Sequence, residues 1–291
     1  MRDDGPTRRL RRSAALLSLV LVPLACAAQA PVTGPNAWAV LPPKPVTPPC
    51  ADDMVLAGNV CMDRYEAFVV EVDEAGHEKP HSPYEVIGRA RVKAKNAEGH
   101  VPQAYISQLQ SRAACEEAGK RLCSAEEFTF ACSGGDPSSN DYPYGGHEHK
   151  DGYCNEGKGS MMYRLYGSDP RAWTSANFND PRLNQVEGGL AKSGQYPRCV
   201  SAFGVHDCVG NLHEWGSDPP DAMGLGRFRG GFYGDAEVNG HGCKYVTRAH
   251  GPSYHDYSTG FRCCADAKGV EWAAGASTTK AGGRANRTAA P

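Results

Sequence analysis

Residues 50–266 read as an irregular α+β domain, rich in loops and stapled by disulfides. Three features carry that reading. Eleven cysteines lie beyond Cys26 in a chain that opens like an exported one, and exported cysteines pair by default. Few helices are signalled, and from Gly134 onward Gly, Pro, Asn and Asp recur every few residues. A domain of this length with so little regular structure needs disulfides or bound ions to offset the entropy of its loops.

The elements follow in order. Residues 1–30 form a signal peptide: five arginines lie within residues 2–12, and Ser13–Ala25 is almost wholly apolar. That run is too short for a permanent membrane span. Leu24-Ala25-Cys26 resembles a bacterial lipoprotein cleavage site, which would leave Cys26 as a lipidated first residue. Ala28-Gln29-Ala30 offers ordinary signal cleavage instead. The chain is therefore expected outside the cytoplasm, in the cell envelope as a lipoprotein or secreted. A membrane would be a partner only through a lipid on Cys26.

Residues 31–49 hold seven prolines and one charged side chain, which makes them an extended, semi-rigid linker. Met54–Val60 and Phe68–Val72 read as short strands. Ser107–Ala118 (SQLQSRAACEEA) is rich in helix formers and ends at Gly119, suited to a left-handed cap. Lys120-Arg121 would then complement the dipole at that helix end. Ser124-Ala125-Glu126-Glu127 is a capping box that opens a second helix. Residues 267–291 are mostly Ala, Gly, Thr and basic residues, too poor in apolar surface to fold, and are expected to be a disordered tail.

Charge excludes one class of partner. Removal of residues 1–30 leaves 26 basic against 31 acidic side chains, a formal charge of −5. Nucleic acid would call for clustered positive charge, so no nucleic-acid partner is expected.

The most polar stretch is GVHDCVGNLHEW (Gly204–Trp215). A zinc-protease helix would need a histidine at position 217, where the chain has Ser217. Asp207 and Glu214 are hard oxygen donors, and Gly210-Asn211 lets the backbone turn its carbonyls inward, as a calcium turn requires. A plain polar turn is the other account. GHEHK (Gly146–Lys150) carries metal-capable histidines too, with an exposed polar loop as the plainer account.

Seven segments in order resemble one family: CMDRYEAF (Cys61–Phe68), ACEEAGKRLCSAEEFTFACSGG (Ala114–Gly135), YPYG (Tyr142–Gly145), CN (Cys154-Asn155), FGVHDCVGNLHEW (Phe203–Trp215), FRGGFYG (Phe228–Gly234) and GFRCC (Gly260–Cys264). The set is similar to the formylglycine-generating enzyme, or sulfatase-modifying factor, superfamily. The resemblance implies a C-type-lectin-like core. It also implies a structural calcium held by Asp207, the carbonyls of Gly210 and Leu212, and Glu214. Asn155 resembles a ligand of the family's other calcium site.

The family's oxidase binds copper through two cysteines spaced five apart. Here those places fall on Asp235 and Gly240, so copper is not expected. The resemblance assigns Cys132–Cys243 and Cys115–Cys263 as disulfides. The remaining choices, with alternatives open, are Cys50–Cys61, Cys123–Cys264 and Cys154–Cys199, which leaves Cys208 as the free thiol. Tyr233, Asp235, Arg248, His250 and Tyr254 fall, by resemblance, along the family's groove. Tyr65-Glu66 and Arg262 are expected to be hydrogen-bonding anchors of the core.

The expectation is an exported, non-catalytic binding or scaffold protein whose ligand is a glycan or an envelope protein. The alternative is a divergent oxidoreductase with a metal site other than the copper cysteines.

Overall fold

A computed structural model describes residues 48–270. The signal segment, Cys26, most of the 31–49 linker and the tail beyond residue 270 lie outside the described residues.

The first expected strand is two. β1 (Met54–Ala57) and β2 (Val60–Asp63) form an antiparallel hairpin with Ala57 opposite Val60. Gly58, at φ +67°, turns the chain in a two-residue loop that suits strand twist, which breaks the run at Met54–Val60. β3 (Phe68–Val72) pairs on one side with β4 (Glu78–Pro80) and on the other with β5 (Val92–Lys95).

The first helix, α1 (Gln108–Glu117), starts with a capping box in which Ser107 and Gln110 satisfy each other's amides. It ends at Gly119, which takes the left-handed conformation at φ +71°. β6 (Arg121–Leu122) leads into α2 (Ala125–Cys132), whose Ser124–Glu127 capping box is formed on both sides. Lys120 does not serve a helix dipole. Its ammonium bonds Asp53 at 2.6 Å and the buried Asp63 at 2.7 Å, while Arg121 clasps Glu127.

Beyond Gly134 the chain is mostly loop, with short helices α3 (Met161–Tyr166) and α4 (Ser175–Phe178). Four short strands follow: β7 (His213–Trp215), β8 (Phe228–Arg229), β9 (Val246–Thr247) and β10 (Thr259–Gly260). They form a sheet ordered β10-β7-β8-β9, in which only the β10–β7 pair is parallel. The final strand, β11 (Cys263–Asp266), inserts between β2 and β6 and so ties the end of the domain to its start.

Disulfides take the place of large sheets. Cys115–Cys263, Cys123–Cys264 and Cys132–Cys243 close separations of 148, 141 and 111 residues, and Cys154–Cys199 and Cys50–Cys61 close shorter loops. These are the five pairs set out from the sequence, and Cys208 is the free cysteine among the described residues. Cross-links over such separations remove a large share of the unfolded chain's freedom.

Candidate functional site

The turn from Asp207 to Glu214 lies at the centre of the domain. Asp207, Gly210 and Asn211 all adopt left-handed backbone, at φ +56°, +77° and +55°. Asn and Asp tolerate that region better than most residues do. Gly210 is also required by space, because a Cβ there would lie 2.2 Å from the Asn155 carbonyl oxygen. The chain passes that close because the Asn211 N–H donates to the same carbonyl at 2.8 Å.

The side chains of the turn are almost fully buried. Asn211 is the hub. Its Oδ1 accepts from Asn155 Nδ2 at 2.9 Å and from the Ala191 N–H at 3.0 Å, and its Nδ2 donates to Glu66. The other Glu66 oxygen accepts from the Leu212 N–H at 3.1 Å. Sequence reading gave Asn211 only a backbone role; its place after Gly210 in a turn facing Asn155 was the available signal. Glu214 is clamped by Arg262, with Nε and a terminal nitrogen each 2.6 Å from one carboxylate oxygen. Asp207 accepts only the Gly194 N–H, at 2.6 Å.

Three buried carboxylates therefore share one guanidinium. Burial pushes Asp207 up to about 7, with the nearby Glu214 charge adding to it. Burial, then the Asp207 and Glu214 charges, lifts Glu66 well above the usual carboxylate range. Glu214 is also raised by burial, against the pull of Arg262. Asn155 Oδ1 is buried without a hydrogen-bond partner. An unpartnered oxygen and surplus negative charge suit a hard cation. Both Glu214 oxygens already face Arg262, so this carboxylate meets a guanidinium first, whatever else it holds.

The histidines of the motif have other tasks. His206 stacks on Tyr65 at 4.9 Å. His213 is buried between Ser258 Oγ at 3.2 Å and Tyr245 Oη at 3.4 Å, and burial pushes its imidazole down to about 3.

The five residues expected to line a groove do not all come together. His250 and Tyr254 stack face to face, with ring centres 3.6 Å apart, and His250 also stacks on Phe228. Tyr254 donates to the buried Asp256 at 2.6 Å. Asp235 is half-buried and accepts from Tyr245 Oη at 3.1 Å. Arg248 is exposed on the same stretch of chain. Tyr233 corrects the expectation: it has no exposed surface, packs in the core beside Tyr105 and Tyr257, and donates to Asn184 at 2.8 Å. Its place directly after Phe232 in a glycine-rich turn sends its ring inward. A separate open depression of about 780 Å³ lies against α2, lined by residues such as Val60, Phe130 and Pro137, and it includes none of the five.

The two positions where the resemblance would seat copper-binding thiolates hold Asp235 and Gly240. Asp235 caps the N–H groups of Glu237 and Val238, and Gly240 has no side chain. Cys243 is bonded to Cys132. Cys208 is 1% exposed, and burial pushes its thiol up to about 12.

Residues 54–267 match the sulfatase-modifying factor enzyme 1-like domain, and the chain belongs to that family. No curated protein matches the chain. Among solved structures it is similar to PvdO from Pseudomonas aeruginosa, at 16% identity over 71% of this chain and 80% of that one, with a TM-score of 0.43. It is also similar to the Major Tropism Determinant I1 variant, at 13% identity over 74% of this chain, with a TM-score of 0.42. This chain spans about half (53%) of that protein's length. Treponema denticola variable protein 1 is similar at 13% identity over 73% of this chain and 98% of that one, with a TM-score of 0.41.

Proposed function

We propose that this chain is an exported, non-catalytic binding or scaffold protein built on a sulfatase-modifying-factor domain. One observation carries the reading: every described cysteine except Cys208 is in a disulfide, and Cys208 is buried. A pair of thiolates for copper is therefore missing from the place where the family's oxidase keeps it. Five disulfides also favour an oxidising compartment, in keeping with export by the residue 1–30 signal. Whether Cys26 is lipidated is tested by processing: globomycin-sensitive maturation means a lipoprotein, and release after Ala30 means secretion.

The ligand surface in this reading runs along His250, Tyr254, Asp235 and Arg248. The His250 and Tyr254 rings, stacked face to face, suit the apolar face of a sugar or a peptide of an envelope protein. Calcium would be held by Asp207 and the Gly210 and Leu212 carbonyls, with Glu214 shared with Arg262, and Asn155 with its unpartnered Oδ1 would serve a second calcium site. At Asp207 the ion would neutralise buried charge and lock the turn.

The test has two arms. The mature protein is alkylated before reduction, then digested and mapped. Ten bridged cysteines and a Cys208 that reacts only after unfolding are expected. A free Cys243, or copper-dependent oxidation of a cysteine peptide, would overturn the reading. Binding to a glycan panel is then compared with Asp235→Ala and Tyr254→Ala. Loss of a saturable signal in both is expected, and undiminished binding would remove this surface as the site.

A further inference from the structure

The search for a second site leads away from the turn to the loop Gly146–Lys150. His149 Nε2 lies 2.8 Å from Glu156 Oε1, and these two with a Glu237 oxygen form a group whose ligand atoms all lie within 4.8 Å of one another. It is the only such group of three His, Cys, Asp or Glu residues among the described residues. His149 and Glu156 are seven residues apart, and Glu237 comes from a part of the chain 81 residues beyond Glu156. Glu156 follows Cys154, which is bonded to Cys199, and Glu237 precedes Cys243, which is bonded to Cys132. Two covalent anchors therefore hold the loops that bring the carboxylates together.

We propose that His149, Glu156 and Glu237 form a zinc site with an open coordination position. The donor set is the first reason. One imidazole nitrogen with two carboxylate oxygens suits zinc, whereas calcium prefers an all-oxygen shell. Four ligands around zinc stand about 3.3 Å from one another, so a group already within 4.8 Å needs only small adjustment.

The outer partners are the second reason. The other ring nitrogen of His149, Nδ1, lies 3.3 Å from Asp151 Oδ1, which favours the tautomer that leaves Nε2 free to bind metal. Glu237 is oriented from both ends, with Tyr142 Oη donating at 2.7 Å and His241 Nδ1 at 2.5 Å from its second oxygen. Such carboxylate and hydroxyl partners fix the direction of metal ligands.

Order in the loop is the third reason. The Gly146 N–H donates to Asn140 Oδ1 at 2.8 Å, and the Lys150 N–H donates to Tyr144 Oη at 3.0 Å. A merely solvated loop would not need these clamps on both sides of His149. The Glu156 side chain is 4% exposed and the His149 side chain 36%, so the site is walled on one side and open to a metal on the other. Three protein ligands leave a fourth position for water or for a donor on a bound partner. The inference does not need the binding-module reading, because the site requires no ligand at His250 or Tyr254, although Glu237 lies two residues from Asp235 of that surface.

The experiment uses the full chain without a histidine tag, stripped by chelator and titrated with zinc alone by calorimetry. One zinc per chain at micromolar affinity or tighter is expected. His149→Ala, on the partly exposed loop, should weaken it by about 100-fold or more, and Glu237→Gln should do the same. His77→Ala, an exposed histidine elsewhere, and Asp207→Asn, in the calcium turn, should leave it unchanged. Cobalt(II) in place of zinc should give visible absorption that His149→Ala abolishes. No zinc taken up, or zinc held equally well by His149→Ala, would overturn the site.

Discussion

Two buried charge centres lie side by side in this domain, and they are balanced differently. In one, Lys120 sits between Asp53 and Asp63, the second Asp63 oxygen accepts the Cys263 N–H at 2.9 Å, and Asn96 donates to Asp53. In the other, Glu66, Asp207 and Glu214 share Arg262 alone. The two touch through Arg262, which also donates to the Asp63 carbonyl at 3.2 Å. The first centre is closed: its deepest carboxylate has a cation and an amide donor, and Asp53 is partly open to water. The second is short of positive charge. A closed centre holds strands together, whereas an open one also offers a place for a cation.

The largest break expected is at the open centre. Arg262→Leu would leave Glu214 buried with neither of its donors and remove the one cation that three carboxylates share. Losing one partner of a buried ion pair costs about 3–5 kcal/mol. Urea unfolding should show a loss of that size, or no folded protein at all. A loss near zero would mean that these carboxylates are already protonated or otherwise compensated.

The calcium proposed for the Asp207 turn should give the next largest effect, and its pH dependence would separate it from a general salt effect. Asp207 is raised to about 7 in the folded chain, against an unfolded value near 4. Between those values the folded state holds a proton that the unfolded state has lost. The metal-free protein is therefore fully stabilised by this group below about pH 4, and that contribution fades as pH rises through about 7. Asp63, raised to about 6 by burial against the pull of Lys120, contributes with the same sign. His213, pushed down to about 3 by burial, acts oppositely: its contribution is lost as pH falls below about 6.5. Calcium would replace the Asp207 proton. At 100 times its Kd it would add about 2.7 kcal/mol, or about 5–10 °C in Tm for a domain of this size. Thermal melts should show that gain at pH 8, much less at pH 5, and none in Asp207→Asn. An equal gain in Asp207→Asn would move the ion elsewhere.

Lys120→Met tests the closed centre and should cost less than Arg262→Leu, about 2 kcal/mol, because Asp53 can turn to solvent. Urea midpoints of the two variants, read side by side, give the contrast directly. Equal losses would show that both centres are closed.

Much of this arrangement was legible in the sequence, and the parts that were not share a cause. Capping residues such as Ser124 and Glu127 act on their neighbours three residues away, so their spacing declares them. The Gly-Asn turn declares itself through backbone need. Lys120 was misread because its partners, Asp53 and Asp63, are 67 and 57 residues away, and nothing local marks that pairing. Gly58 was overlooked inside an apolar run, so one strand was expected where the chain makes a hairpin. Tyr233 was placed in the groove because a motif gives order along the chain but not the direction of a side chain. The cluster of His149, Glu156 and Glu237 is hidden for the same reason, since the third ligand lies 81 residues beyond the second.

The smallest effect expected supplies the scale for the others. Arg91 and Glu117 meet at 2.6 Å with a second contact at 2.9 Å, a geometry as good as that of Arg262 and Glu214. Both lie at the surface, where water and salt already satisfy each partner and ordering two long side chains offsets what attraction remains. Arg91→Ala should leave the urea midpoint within error of the parent, whereas Arg262→Leu shifts or abolishes it. If the surface substitution proved as damaging as the buried one, hydrogen-bond geometry rather than desolvation would govern these pairs. The surplus of buried carboxylates around Asp207 would then no longer argue for a cation.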